Sequence, residues 1–271
     1  SLIVSALSRH TKVVPLVRSP KKAGDCAWRF QMTTQEMMQI LEQNAVTHLI
    51  HVAWEMKGNS LEKIERSCVD GTKRLLAAAR ASGTRQIIFI STISAFEGAR
   101  SAYGKSKWAT EQLVLAHGGL VFRLGLVGGS GNGGVFGSLA TITSRSSIIP
   151  LILGGSGTQF LLHERSLCDA VIRAVRGDFL AERRVFTLAH PEPSRMSDLL
   201  KTLAAANGRQ ILLIPIPWRL LYIPLRGAEL LRIPVGFRSD SLISFVHHNP
   251  EPDFAPMLDH RIEMLPFSSW Q

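Results

Sequence analysis

Short apolar runs alternate with amphipathic stretches through the first half of the chain. Leu2, Ile3, Ala6 and Leu7 share one face of a short helix spanning residues 1–10. Val13 to Val17 predicts a compact strand, Thr34 to Gln43 a helix, and His48 to Ala53 a buried strand. Leu61 to Ala81 reads as a long amphipathic helix stopped near Gly83. Gln86 to Ser91 predicts another buried strand, Tyr103 to Ala116 another helix, and Leu120 to Leu124 a strand entering a Gly-rich loop at residues 125–137. The strands are continuously apolar rather than alternating, as strands covered on both faces are. Strand and helix in alternation predict an α/β, doubly wound parallel sheet. Beyond residue 150 prolines multiply, although Asp169 to Arg176 and Met196 to Asn207 still read as helices. The expected organisation is a sheet domain over residues 1–150 and a smaller substrate lobe over residues 151–271, with some chain crossing back to the sheet.

Composition narrows the partners. Of 271 residues, 45% are hydrophobic and 19% charged, so the chain can build a core and is not of the disordered class. No apolar run is long enough to span a bilayer, and the greasiest stretch, Ile211 to Ile223, is broken by Pro215 and Pro217. Cys26, Cys68 and Cys168 are odd in number and widely spaced. They fit neither a disulfide framework nor a zinc site, which points to a reducing, cytoplasmic setting and to no metal. The net charge of +10 favours anionic partners: nucleotides, phosphosugars, nucleic acid or acidic lipid. The basic residues are scattered and no aromatic-plus-basic stripe accompanies them, so nucleic acid is not an expected partner.

Candidate chemistry clusters where strands end, the place where open parallel sheets bind ligands. Tyr103 and Lys107 lie four apart on one helical face, about a dozen residues beyond the strand ending Ser91-Thr92. An ammonium beside a phenol lowers its pKa toward a usable range. A hydroxyl at the neighbouring strand end can hold the same substrate oxygen. Together these groups suit proton transfer coupled to hydride transfer at a carbinol carbon.

On Tyr103-Gly104-Lys105-Ser106-Lys107 and the segments around it, the chain resembles the extended short-chain dehydrogenase/reductases, the nucleotide-sugar epimerase/dehydratase branch. His48 to Ala53, Val69 to Thr72 with Leu75 to Ala79, Ile88 to Thr92, Arg123 to Gly128, and Gly155 to Gln159 followed by His163 resemble its successive segments in order. The resemblance implies a Rossmann-like sheet with a smaller C-terminal substrate lobe. It implies Tyr103 as acid/base, Lys107 on the nicotinamide ribose, and Thr92 orienting the reacting oxygen. Leu2, Ile3, Arg18, Ala53, Ser91 and Leu126 would line the cofactor with Tyr103 and Lys107, and Ser94, Gln159 and Arg238 would meet the substrate. Arg18 stands where NAD enzymes place an acid for the ribose hydroxyls. A guanidinium there suits a 2′-phosphate, so NADP is favoured and NAD is the second choice. Ser19, Lys21 and Lys22 would reinforce it. The substrate expected is a nucleotide sugar or a similar hydroxylated molecule, and a homodimer would use the helices Leu61 to Ala81 and Tyr103 to Ala116.

The chain departs from that pattern at its start. Ser1 to Leu7 resembles the end of the Gly-rich phosphate loop, with Ser1 and Val4 where glycines are expected, and no first strand precedes it. A fragment of a longer protein, or a gene without its start, is expected. The strand that is missing would sit mid-sheet, leaving unpaired backbone groups on two neighbours. Cys68 stands for Asn, Leu124 for Pro and Ser166 for an acid. Ile93 and Ser94 stand where a dehydratase carries acid/base residues, which disfavours dehydration. His51, His163, Cys68 and Cys168 read as packing residues. The expected activity is NAD(P)-dependent oxidation, reduction or epimerisation. The alternative is a catalytically degraded relative whose sheet serves as a binding or assembly scaffold.

Overall fold

The computed structural model describes residues 2–17, 26–27, 32–54, 65–129, 133–152, 157–179, 184–231, 233 and 238–270. Arg18, Ser19, Lys21, Lys22, Gly155 and Ser156, singled out above, lie outside them. The chain forms two compact units. The first comprises Ser1–Gly98, Ala102–Arg123 and Cys168–Phe186, and the second Ala99–Ser101, Leu124–Leu167 and Thr187–Gln271. Residue 150, the divide expected from the sequence, lies within the second unit.

In the first unit α1 (Leu2–Leu7) buries Ile3 and Leu7. The expected strand at Val13 to Val17 shrinks to β1 (Leu16–Val17), which pairs in parallel with β2 (Cys26–Ala27). Helix α2 (Thr34–Gln43) matches its predicted span. Thr33 and Glu36 close its first turn reciprocally, the Glu36 amide donating to Thr33 Oγ1 over 3.2 Å and the Thr33 amide to Glu36 Oε2 over 2.7 Å. β3 (His48–His51) runs parallel to β4 (Gln86–Thr92). Between them a π-helical turn, Glu65–Val69, leads into α3 (Asp70–Ala81). Helix α4 (Ala102–Ala116) then precedes β5 (Leu120–Leu124).

The main sheet has the order β10-β5-β4-β3, where β10 is Val185–Leu188. Val121 N–H donates to Arg184 O and Gly125 N–H to Leu188 O, so β5 and β10 advance together and are parallel. Among the described residues β3 ends this sheet, and β1–β2 forms a pair of its own. Met37 and Leu41 of α2, Leu75 and Leu76 of α3, and Leu49, Phe89 and Val121 of the strands make one apolar core.

The Gly-rich stretch of residues 125–137 is not a loop throughout. It carries β6 (Leu126–Gly128) and the start of α5 (Gly134–Arg145). In the second unit β6 pairs in parallel with β9 (Leu161–His163), and β7 (Ile148–Ile152) in parallel with β12 (Leu212–Ile216). β8 (Thr158–Gln159) pairs antiparallel to β11 (Ser194–Arg195). Helix α6 (Glu164–Arg176) starts earlier than predicted, and α7 (Met196–Ala205) packs on α5 around Phe136, Leu161 and Leu199. The broken greasy stretch becomes β12 followed, through Pro217, by α8 (Trp218–Leu230). α9 (Ser239–Val246) and α10 (Ala255–Asp259) complete the helices.

Candidate active site

The parallel register of β3 on β4 sets His51 opposite Phe89, so both strands end at one edge of the sheet. Ala53 and Trp54 leave β3 there, and Ser91 and Thr92 close β4. Helix α4 lies against β4 and buries Gly104, Lys107, Glu111 and Val114 along one face, spaced by three or four residues. Two of those four are charged, which is unusual for a buried helix face and marks a place where the fold gives up apolar packing.

Thr92 and Tyr103 are half-buried. The Thr92 and Tyr103 hydroxyls are hydrogen-bond partners. The Ser94 amide in turn donates to Thr92 Oγ1 over 3.3 Å, so Ser94 steadies Thr92 through its backbone. Burial pushes the phenol up to about 12, outweighing the Thr92 hydrogen bond that pulls it down. This corrects the expectation that Lys107 would depress it. Lys107 shares the helical face as predicted, but its Nζ lies 6.0 Å from the Tyr103 ring centre and donates to Ile90 O over 2.7 Å. The faces of Trp54 and Phe89 stand 4.3 Å and 4.5 Å from the same Nζ. Burial brings the ammonium down to about 7, and Cys68 and Glu111 push back only partly.

Around this trio several buried polar groups are satisfied. His51 donates from Nε2 to Thr72 Oγ1 over 2.8 Å, since that hydroxyl already donates to Cys68 O. Burial, with Lys107 nearby, lowers the imidazole to about 3, so His51 is neutral and serves packing, as expected. Ser91 Oγ donates to Glu111 Oε1 over 2.5 Å, and Arg123 grips the same carboxylate with Nε and Nη. Ser91, expected beside the cofactor, is therefore committed to Glu111. Sequence reasoning missed Glu111, although its spacing of four from Lys107 and eight from Tyr103 placed it on the same face. Trp54 stands just after a strand, where the sequence places ligand-facing residues, but the sequence assigned it no role. The Trp54 Nε1–H is buried and, among the described residues, has no acceptor. Such a donor is costly unless something accepts from it.

The other expected contacts are dispersed. Ile3 is buried in the core of the first unit, and Leu2 is exposed on α1. Leu126, Gln159 and Arg238 belong to the second unit. The Leu126 amide donates to Phe160 O, Gln159 donates to Thr158 O, and Arg238 lies 3.8 Å from the Glu229 carboxylate. Packing accounts for two glycines of the stretch beyond β5. A Cβ on Gly125 would run into Phe160 O and the Ala189 methyl, and one on Gly128 into the Trp270 and Phe136 rings. His163 is buried, its Nδ1 accepting from the Arg165 amide over 3.1 Å, which is a structural role.

The residues fit the nicotinamide half of a dinucleotide. Tyr103, Thr92 and Lys107 converge at the sheet edge, and the unmatched Trp54 donor beside them calls for an acceptor such as a ribose or phosphate oxygen. Among the described residues no glycine-rich turn cradles a pyrophosphate.

No protein-family model matches the chain. A curated relative, the ceramide reductase of Caulobacter vibrioides, is 35% identical over 105 residues. The match takes in 38% of this chain and spans about a third of that reductase (32%). The UDP-glucose 4-epimerase of Thermotoga maritima, solved with UDP-glucose, superposes with a TM-score of 0.66 at 17% identity, over 79% of this chain and 81% of the epimerase. The Thermus thermophilus UDP-glucose 4-epimerase in complex with NAD gives 0.63 at 19% identity, over 90% and 93%.

Proposed function

We propose that this chain, which has the fold of the extended short-chain dehydrogenase/reductases of the nucleotide-sugar epimerase type, is an NAD(P)-dependent oxidoreductase or epimerase. Its substrate would be a nucleotide sugar or similar hydroxylated molecule. The observation that carries the reading is the Thr92 hydroxyl bonded to the Tyr103 phenol on a helix face shared with Lys107. Bound nicotinamide supplies hydride exchange at the substrate carbon. The chain's own residues handle the oxygen. Tyr103, with its phenol raised to about 12, stays protonated at neutral pH and is ready to donate to a carbonyl oxygen as that oxygen gains charge. Thr92 fixes the direction of that oxygen through a second hydroxyl. Lys107, bonded to Ile90 O, would turn toward a ribose only by leaving the Trp54 and Phe89 faces. NADP is preferred on the sequence position of Arg18. A second reading, a lipid substrate carrying a hydroxyl or carbonyl, draws on the curated relative's name.

The test is NADP reduction with UDP-glucose or with ceramide in detergent, and NADP-dependent conversion of UDP-glucose to its 4-epimer, in the parent chain and in Tyr103→Phe. We expect the variant to lose at least ~100-fold in rate with an unchanged Tm, since acid–base catalysis contributes about that much. Equal rates in parent and variant would overturn the role of Tyr103, and no turnover with either substrate class would favour the scaffold alternative.

A further inference from the structure

Helix α8 (Trp218–Leu230) has two apolar faces, and among the described residues only one of them is covered. Its half-buried residues Trp218, Leu221, Tyr222 and Leu225 lie on the side that packs against α9, where Trp218 meets Tyr222 and His247 edge-on. Glu229 caps α9 from this helix, accepting from the Ser239 amide over 2.9 Å and the Ser239 hydroxyl over 2.7 Å. These contacts fix which side turns outward. On that side Leu220, Ile223, Leu230 and Leu231 are 62%, 67%, 73% and 74% exposed. At helical pitch they fall within an arc about 100° wide, the stripe a core-facing helix normally buries. Ile233, just beyond, is also more than half exposed.

Arg219 and Arg226 run along one border of the stripe, and both are exposed. The one acid of the helix, Glu229, caps α9 and also pairs with Arg226 over 3.4 Å, while Arg226 itself stays half exposed. The chain as a whole carries +10. Like charge of that size opposes pairing the stripe with a second copy. It attracts an anionic lipid surface, where juxtaposed basic residues add to apolar insertion. No helix of the described residues is long and apolar enough to cross a membrane, and α8 spans only ~20 Å at 1.5 Å per residue. A helix of this kind lies in the interface with its apolar stripe in the acyl boundary.

We infer that the outer face of α8 docks the protein on an anionic lipid membrane, with Leu220, Ile223, Leu230 and Leu231 inserted and Arg219 and Arg226 at the headgroups. The inference stands on α8 and does not depend on the proposed reaction. The test is co-sedimentation of the full chain with vesicles of phosphatidylcholine alone or of phosphatidylcholine and phosphatidylglycerol in equal parts, at low and high salt. The chain is expected to pellet with the anionic vesicles and to be released by salt. Leu220→Glu with Ile223→Glu should reduce partitioning at least about tenfold, and Arg219→Ser with Arg226→Ser several-fold on anionic vesicles only. Both pairs are exposed, so both variants should keep the parent Tm. A chain that stays in the supernatant with anionic vesicles overturns the inference. So does unchanged binding in the Leu220→Glu, Ile223→Glu variant, or a dimer split by that variant without any vesicle binding.

Discussion

Lys107 shows how two neighbours on one helical face part company. The four-residue spacing from Tyr103 was legible in the sequence and does align them. The ammonium nevertheless turns to Ile90 O and to two aromatic faces, and burial governs both groups. No spacing rule encodes which acceptor a buried cation chooses. The consequence is a pH dependence of stability. The Lys107 value of about 7 in the folded protein lies below the ordinary 10.5. Between those values the unfolded chain holds a proton that the folded chain does not, so the Lys107 contribution to stability rises with pH across that window and is flat below it. Tyr103, raised from 10 to about 12, opposes this only above about pH 10, where the unfolded phenol ionises first. Denaturant unfolding at about pH 7 and about pH 9.5 should show the rise in the parent chain, and Lys107→Met should abolish it. A slope surviving that substitution would place its source elsewhere.

At the level of the element, α4 joins the site to the sheet. Its buried face holds a complete ion pair, with Glu111 gripped by Arg123 of β5 over 2.6 Å and by Ser91 of β4. Glu111→Leu alone would leave the Arg123 guanidinium, itself only a fifth exposed, without its carboxylate. We expect a loss of about 3–5 kcal/mol, largely recovered in the double variant Glu111→Leu, Arg123→Met, as measured by equilibrium unfolding. A double variant no better than the single one would mean that the carboxylate matters for Ser91 rather than for Arg123. Elements with their own local signals were legible: α2, β5, and nearly all of β4 and α4. The stretch of residues 125–137 was not, because glycine reads as loop when the chain is considered alone. Gly125 and Gly128 are small because Phe160, Ala189, Phe136 and Trp270 crowd them, a tertiary cause that local sequence does not carry. The predicted strand at Val13 to Val17 shortened for the converse reason: apolar residues without a long partner strand form only two residues of ladder.

For the molecule as a whole, the groups proposed to face a nicotinamide all come from the first unit, and among the described residues the sheet there ends at β3 with β1–β2 paired apart. Thr92, Tyr103 and Lys107 were readable in advance because one strand end and one helix supply them. Trp54 was placed at a strand end by the same pattern, but its unmatched donor exists only once the chain is folded. Cofactor binding should therefore appear as ligand-linked stabilisation of the first unit. A ligand held only by the folded state at a hundred times its Kd adds about 2.7 kcal/mol, and each kcal/mol moves the Tm of a chain this size by roughly 2–4 °C. Millimolar NADP is thus expected to raise the first thermal transition by several degrees, and NAD by less. Arg18→Asp should invert that order if the guanidinium meets the 2′-phosphate. Trp54→Phe keeps the ring over Lys107 and removes only the indole donor, so it should shrink the shift for both dinucleotides without lowering the Tm of the free chain. A Trp54→Phe protein that responds as the parent does would detach the orphaned donor from the cofactor. Absence of any shift in the parent would leave the sheet as a scaffold that no longer accepts a dinucleotide.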